Sequence, residues 1–179
     1  MTEKKLIASL KNSKTINLAF RELINKYKER LYWHIRKIVI NHDDADDVLQ
    51  NTFIKVYRNI NKFNEQSKLY SWMYRIATNE SLTFLKDKAK KNNSAPEELQ
   101  QTLLNNLHTD DYFDGNDAQK KLLKAIARLP QKQQIVFNMK YFDALKYKEI
   151  SEILNTSEGA LKASYHIATK KIKEYLLNN

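Results

Sequence analysis

Three clusters of residues in this chain have the types and spacing that could do chemistry. The first is Asp43-Asp44-Ala45-Asp46-Asp47, followed by Gln50 and Asn51. Four carboxylates within five positions form a local anionic patch on an otherwise basic chain, a surface suited to a protein partner. They also favour the start of a helix, where the dipole stabilises negative charge. The second runs from Phe63 to Arg75, with Asn64, Lys68, Tyr70, Trp72 and Tyr74 between. Aromatic rings interleaved with cations and amides can stack unpaired bases and hold a phosphate backbone. The spacing puts Trp72 in the core and leaves Tyr70, Tyr74 and Arg75 outward. The third is Ser157 to Lys173, which carries Glu158, Lys162, Ala163, His166, Lys170 and Lys173 at helical intervals.

Other chemistries lack their residues. Cysteine is absent, which removes disulfides, thiolate nucleophiles and thiolate metal sites, and fits a reducing compartment. His34, His42, His108 and His166 are far apart and show no metal-ligand spacing. His34 falls on an apolar stripe and reads as a packing residue. No Ser-His-Asp, Walker or dinucleotide pattern occurs. The chain is therefore expected to be no enzyme and to use no cofactor and no metal.

The elements that must position these residues are helical. Two glycines and two prolines in 179 residues leave little material for hairpins. Apolar positions recur at i, i+3, i+4 and i+7 over about 17–40, 45–57 and 69–88, and again over about 119–129, 130–142, 146–154 and 158–177. Asp43 or Asp44 is the expected cap of the second helix. Residues 59–68 lose the periodicity and read as a loop. Residues 90–117 are polar, with one leucine-bearing stretch (Leu99, Leu103, Leu104, Leu107) that suits a short amphipathic helix. The expected fold is all-α: two small helical domains joined by a flexible linker, the C-terminal one a helix-turn-helix. The boundaries fall at 15–89, 90–117 and 118–179.

Charge follows the same division. Residues 1–88 hold 17 basic and 10 acidic side chains, a net +7; residues 89–118 hold 2 and 6, a net −4; residues 119–179 hold 12 and 5, a net +7. Two basic lobes on a tether suit a polyanion gripped at two places. No apolar run approaches the roughly 18 residues of a membrane span, and the first residues lead into no signal-peptide core, so a cytoplasmic location without membrane insertion is expected.

The motifs also carry a family resemblance. Asp44-Ala45-Asp46-Asp47-Val48-Leu49-Gln50-Asn51-Thr52-Phe53-Ile54-Lys55-Val56-Tyr57 resembles the region-two signature of extracytoplasmic-function (ECF) RNA polymerase sigma factors. Ser71-Trp72-Met73-Tyr74-Arg75-Ile76-Ala77-Thr78-Asn79-Glu80 resembles the promoter-reading helix that follows it. Leu129-Pro130, Tyr147-Lys148-Glu149-Ile150-Ser151 and Gly159-Ala160-Leu161-Lys162-Ala163 resemble region four. These motifs stand in the family's order and, with their helices, cover nearly all of 15–177 outside the linker.

The resemblance implies a factor that binds core RNA polymerase and directs it to promoter DNA, with an anti-sigma factor as a conceivable further partner. It implies polymerase contacts from Asp44, Asp47, Val48, Gln50, Asn51 and Ile54. It implies capture of the minus-ten element by Phe63, Asn64, Lys68, Tyr70, Arg75, Asn79, Lys86 and Lys88. Contacts to the minus-thirty-five element fall to Ser157, Glu158, Lys162, Ala163, His166 and Lys170. The chain departs from the family by having Ser164, Ile167 and Thr169 where recognition-helix arginines often stand. The residues alone leave a second reading open, a stand-alone helix-turn-helix regulator whose first lobe senses or dimerises.

Overall fold

The structure is a computed structural model that describes residues 1–107 and 115–179. His108 and Asp114 lie outside the described residues. Among the described residues all regular structure is helical: α1 (Glu3–Leu10), α2 (Ile16–Val39), α3 (His42–Asn59), α4 (Leu69–Lys91), α5 (Pro96–Asn105), α6 (Asp117–Ala127), α7 (Gln131–Tyr141), α8 (Tyr147–Leu154) and α9 (Glu158–Asn178), plus a 3-10 turn at Ile60–Lys62. No helix among them is long and apolar enough to cross a membrane.

The first lobe is a three-helix packing of α2, α3 and α4. Ala19, Leu23, Tyr27, Leu31, Ile35 and Ile38 form the buried stripe of α2. They meet Ala45, Val48, Leu49, Thr52, Phe53 and Val56 of α3. The α2–α3 corner is tight. Ile40 has φ 68°, a left-handed value that a β-branched residue adopts only when its surroundings hold it there. Two things hold it: its N–H donates to the Arg36 carbonyl at 2.9 Å, and its side chain is buried. The expected Asp43 or Asp44 cap is instead Asn41, whose side-chain oxygen accepts from the Asp44 N–H at 3.0 Å. Asn is as good a cap as Asp, and Asn41 stands two residues nearer the corner than Asp43.

Helix α1 was not legible in advance. It lays Leu6, Ile7 and Leu10 on the first lobe and brings Glu3 to two partners. The carboxylate accepts from the Tyr27 hydroxyl and from the Leu69 N–H, both at 3.4 Å. Leu69 is the first residue of α4 and Lys68 supplies no side-chain cap, so Glu3 serves an otherwise open helix N-terminus.

In the second lobe, Asn116 and Gln119 cap α6 reciprocally. The buried Gln134 amide donates to the Ala127 and Leu129 carbonyls at 3.2 and 2.8 Å, closing the corner before α7. α8 stops at Asn155 in the left-handed conformation (φ 51°, ψ 47°), which Asn tolerates better than most residues. Ser157 then caps α9, accepting from the Ala160 N–H at 3.3 Å. A short helix, a three-residue turn and a long helix make the helix-turn-helix. Ala125, Ile126, Leu129, Phe137, Ala168 and Ile172 are the lobe's own core.

The two lobes are docked on each other. One continuous buried cluster runs from α1–α4 into Ile135, Val136, Met139, Leu145, Ile150, Ile153 and Leu161 of the second lobe. The described part of the tether is docked too, through the leucines of α5 and Leu107 just beyond it. Leu99 joins the first lobe's core, Leu104 and Leu107 pack with Ile40 and Ala127, and the buried Gln100 amide donates to the Ile38 carbonyl at 2.9 Å. Burying one leucine is worth about 1.5–3 kcal/mol, so this segment is held rather than free.

Candidate nucleic-acid interface

Helix α3 presents two faces. Ala45, Val48, Leu49, Thr52 and Phe53 point inward, while Asp47, Gln50, Asn51 and Ile54 are exposed in a row. Beside the row lies an open apolar groove of about 600 Å³, lined by Phe20, Ile24, Leu49, Phe53, Ile54 and Tyr57 with Lys28 and Arg58 at its rim. Ile54 and Tyr57 are 47% and 40% exposed, a large apolar surface to leave in water. Val48, expected among the contact residues, is only 1% exposed, because it lies on the i, i+4 stripe with Thr52. Asp44 is half-buried and forms an ion pair with Lys88 of α4. That pair ties together two residues assigned to different partners, and Lys88 is accordingly not a free phosphate ligand here.

In the 63–79 segment the structure corrects two expectations. Phe63 is 2% exposed and packs on the half-buried Trp72, with ring centroids 5.2 Å apart. Tyr74 is 1% exposed, lies 4.5 Å from the His34 ring, and has its hydroxyl proton affinity raised by burial. Neither ring can stack a base in this conformation. Asn64, Lys68, Arg75, Asn79 and Lys86 are exposed and Tyr70 is half-exposed. The Asn64 side chain accepts from the Gln66 N–H at 3.2 Å, which shapes the loop.

The recognition face of α9 is open. Ser157, Glu158, Lys162, Ala163, His166 and Lys170 are all exposed, as are Gly159 and Ala160. The Lys162 ammonium lies 5.7 Å from the centre of the Tyr147 ring of α8, a cation–π contact. Ile167 is 44% exposed on the same helix.

What the residue pattern did not disclose is the seam between the lobes. The Glu149 carboxylate of α8 accepts from the Tyr70 hydroxyl and from Lys68 Nζ at 2.9 Å. The Arg75 guanidinium donates to the Glu152 and Ile153 carbonyls, the latter at 3.3 Å, at the C-terminal end of α8. At the other end of the seam Asp143 accepts from Lys37 Nζ at 2.7 Å and lies 3.3 Å from His34 Nδ1. His34 Nε2 pairs with Thr78 Oγ1 at 2.8 Å. Burial raises the affinity of Glu149 for a proton, but the Tyr70 hydroxyl, the Lys146 N–H and Lys68 outweigh it and hold the group down at about 2. Burial lowers His34 from the ordinary histidine value, and the neighbouring Asp143 opposes that only in part. Asp143 is itself held below the usual carboxylate range: burial works against this, and His34 and Lys37 overcome it. Glu149 could be read only as a helix-cap residue, since its carboxylate also accepts from the Lys146 N–H at 2.9 Å. Nothing in residue spacing connects it to Lys68, 81 positions away.

An all-helical chain with an acidic-apolar helix face on one lobe and a basic helix-turn-helix on the other has the build of a DNA-binding transcription protein. The Sigma-70 region 2 family matches residues 23–91 and the Sigma-70 region 4 family matches residues 119–172. The ECF RNA polymerase sigma factor SigW of Bacillus subtilis is 31% identical over 171 residues, covering 88% of this chain and 89% of the relative. RNA polymerase sigma-H factor of Pseudomonas aeruginosa is 25% identical over 174 residues, covering 88% and 86%. Among solved structures, CnrH in complex with the cytosolic domain of CnrY has a TM-score of 0.73 at 18% identity, covering 99% of this chain and 98% of that one. The sigma factor RpoE in complex with the anti-sigma factor NepR from Bartonella quintana has a TM-score of 0.66 at 17% identity, covering 88% and 96%. The chain belongs to the ECF sigma factors of the Sigma-70 family. It is a non-enzymatic initiation factor that binds core RNA polymerase and promoter DNA and directs transcription initiation.

Proposed function

We propose a division of labour among the exposed faces of this sigma factor. Domain 15–89 binds core polymerase through Asp47, Gln50, Asn51, Ile54 and the adjoining groove. The same domain takes the opened minus-ten element on Asn64, Lys68, Tyr70, Arg75, Asn79 and Lys86 once the seam is free. Domain 118–179 takes the minus-thirty-five element on α9, with Ser157, Glu158, Lys162, Ala163, His166 and Lys170, and 90–117 sets the span between them. Val48 and Phe63 support these faces from the core. The protein works in the cytoplasm, and an anti-sigma factor is its further partner, as NepR is for the structurally similar RpoE.

The observation that carries this reading is the separation of exposed surfaces. The carboxamide-and-carboxylate row with its apolar groove lies on α3, whereas the lysine-bearing face lies on α9 of the other lobe. A protein contact needs the first and a duplex needs the second. Run-off transcription with purified core polymerase tests it. Asp47→Lys should abolish polymerase capture and transcripts together. Lys162→Ala should leave capture intact while lowering transcript yield. Tight sequence-specific duplex binding by the protein without polymerase would overturn the assignment in favour of a stand-alone regulator.

A further inference from the structure

Helix α1 precedes residues 23–91, which the Sigma-70 region 2 family matches, and it holds none of the side chains assigned to polymerase or DNA. Its contacts nevertheless converge on one short segment, the loop that leads into α4. Lys11, which caps the C-terminal end of α1, reaches a residue 54 positions further along the chain. Its ammonium pairs with the Glu65 carboxylate at 3.2 Å and stands 5.8 Å from the centre of the Phe63 ring. At the other end of the helix, Glu3 accepts from the Leu69 N–H at 3.4 Å. Between these two grips, Leu6, Ile7 and Leu10 belong to the same buried cluster as Phe63 and Leu69. The Thr15 hydroxyl donates to the Ser9 carbonyl at 2.8 Å and closes the corner between α1 and α2, so the helix is no loose arm. The loop it holds is bent against its own residue types. Glu65 has φ 60°, a left-handed value that a residue with a Cβ adopts only under constraint, and neither of the chain's two glycines lies here. Asn64 fixes one side of the bend by accepting from the Gln66 N–H, and Lys11 fixes the other. The exposed Asn64 and Lys68, both assigned to minus-ten DNA, flank this bend.

We infer that α1 is a positioning element for minus-ten capture: Lys11 and Glu3 hold the 63–69 loop in the bent shape that brings Asn64 and Lys68 to an unpaired base. This rests on the assignment of that loop to minus-ten DNA. Neither Lys11 nor Glu3 touches the strand; both act through the loop. Attraction to a phosphate backbone depends on charge and tolerates small displacements, whereas choice between bases depends on where each polar atom stands. Loosening the loop should therefore cost discrimination more than overall binding. The Lys11–Glu65 pair is exposed, so the effect of one substitution is severalfold and no larger.

The test uses holoenzyme and a pool of forked promoter DNA whose single-stranded minus-ten segment is randomised; bound sequences are counted. The wild-type protein should favour the best base over the worst at one or more positions. Lys11→Ala and Glu3→Ala should each shrink that ratio about threefold, and the double variant more, with polymerase capture and melting temperature little changed. The two substitutions alter net charge in opposite directions, so a shared loss of discrimination cannot come from general attraction to DNA. Lys11→Arg should keep both the ion pair and the preference. A spectroscopic readout in the free protein stands beside this one. Trp72 packs on Phe63, and Trp33→Phe makes it the remaining tryptophan of the chain. In that background the double variant should shift the Trp72 emission to the red; an unshifted spectrum would mean that the loop keeps its shape without α1, and would overturn the inference. Undiminished discrimination in the double variant, where Asn64→Ala abolishes it, would leave the loop as the reader and remove α1 from its support. Discrimination lost together with polymerase capture and many degrees of melting temperature would reduce α1 to packing. If Asn64→Ala and Lys68→Ala also leave discrimination intact, the loop is not the minus-ten reader, and the underlying assignment fails rather than the role of α1 within it.

Discussion

Ile54→Ala isolates what the α3 groove is worth to polymerase binding. Ile54 is 47% exposed, so roughly half of its side chain remains to be buried by a partner. Complete burial of an isoleucine is worth about 1.5–3 kcal/mol, which puts the unburied half at about 1 kcal/mol. Truncation inside a packed interface also leaves an unfilled space, and a central apolar anchor can therefore cost up to about 2 kcal/mol. With tenfold in affinity for each 1.4 kcal/mol, the expected loss is about five- to thirtyfold in the dissociation constant for core polymerase. The fold should hardly notice. Val48, Thr52 and Val56 carry the inward face, and the exposed part of Ile54 contributes nothing to the free protein's core. Titration of dye-labelled sigma factor with core enzyme gives the affinity, and thermal melting gives the fold. A melting temperature that drops by many degrees while affinity survives would show that the groove is packing and no interface. Unchanged values in both would remove Ile54 from the contact surface.

Three further outcomes follow from the geometry. Lys162→Ala should reduce the salt dependence of holoenzyme binding to minus-thirty-five variants by about one unit of slope on all sequences alike; loss of preference at a single base would show that Lys162 reads a base edge. Gly159 at the start of α9 has a negative φ, and a Cβ there meets nothing within 4 Å. Gly159→Ala should therefore leave stability unchanged or raise it by up to about 1 kcal/mol. Promoter affinity should fall severalfold if DNA approaches this face, and unchanged affinity would place the DNA elsewhere. The seam should weaken in acid. His34, Asp143 and Glu149 all have proton affinities lower in the folded protein than in the open chain. Their stabilisation is complete above the ordinary histidine value of about 6.5. It begins to fall as the open form of His34 takes up a proton, and declines further below about 4.5 toward about 2 as the carboxylates follow. Melting temperature measured from pH 8 to pH 4 checks the sign, and a flat profile between 7 and 5 would mean that His34 is solvated.

How much of this was legible in the chain depended on the range of each contact. Periodicity located α2, α3 and α4 and the whole helix-turn-helix, because a buried stripe is a local property. Ser157 as the cap of α9 and the exposed Lys162–Lys170 face followed from the same local rules. Of the α3 residues expected to face a partner, Asp47, Gln50, Asn51 and Ile54 are exposed, Asp44 is half-buried and Val48 is buried, because an apolar residue between Asp47 and Leu49 has the same character whether it faces a partner or the core. Phe63 and Tyr74 were misjudged for a related reason. An aromatic ring packs or stacks by the same surface, and only the tertiary neighbours Trp72 and His34 decide between the two. The docking of the lobes was beyond reach, since Lys37–Asp143 and Lys68–Glu149 join residues 106 and 81 positions apart.

Glu3, which serves the first N–H of α4, has a consequence for the order in which the protein is made. Its helix leaves the ribosome well ahead of its partner Leu69, which is 66 residues downstream. The first lobe completes itself only when that residue has emerged. Glu149 follows Tyr70 by a further 79 residues. At a bacterial elongation speed of roughly 5–20 residues per second, the nascent chain exposes Lys68, Tyr70 and Arg75 for on the order of 4–16 s before α8 exists to cover them. A growing sigma factor is therefore open before it is closed, and polymerase or nucleic acid near the translating ribosome meets the first lobe in a state that the finished protein no longer presents.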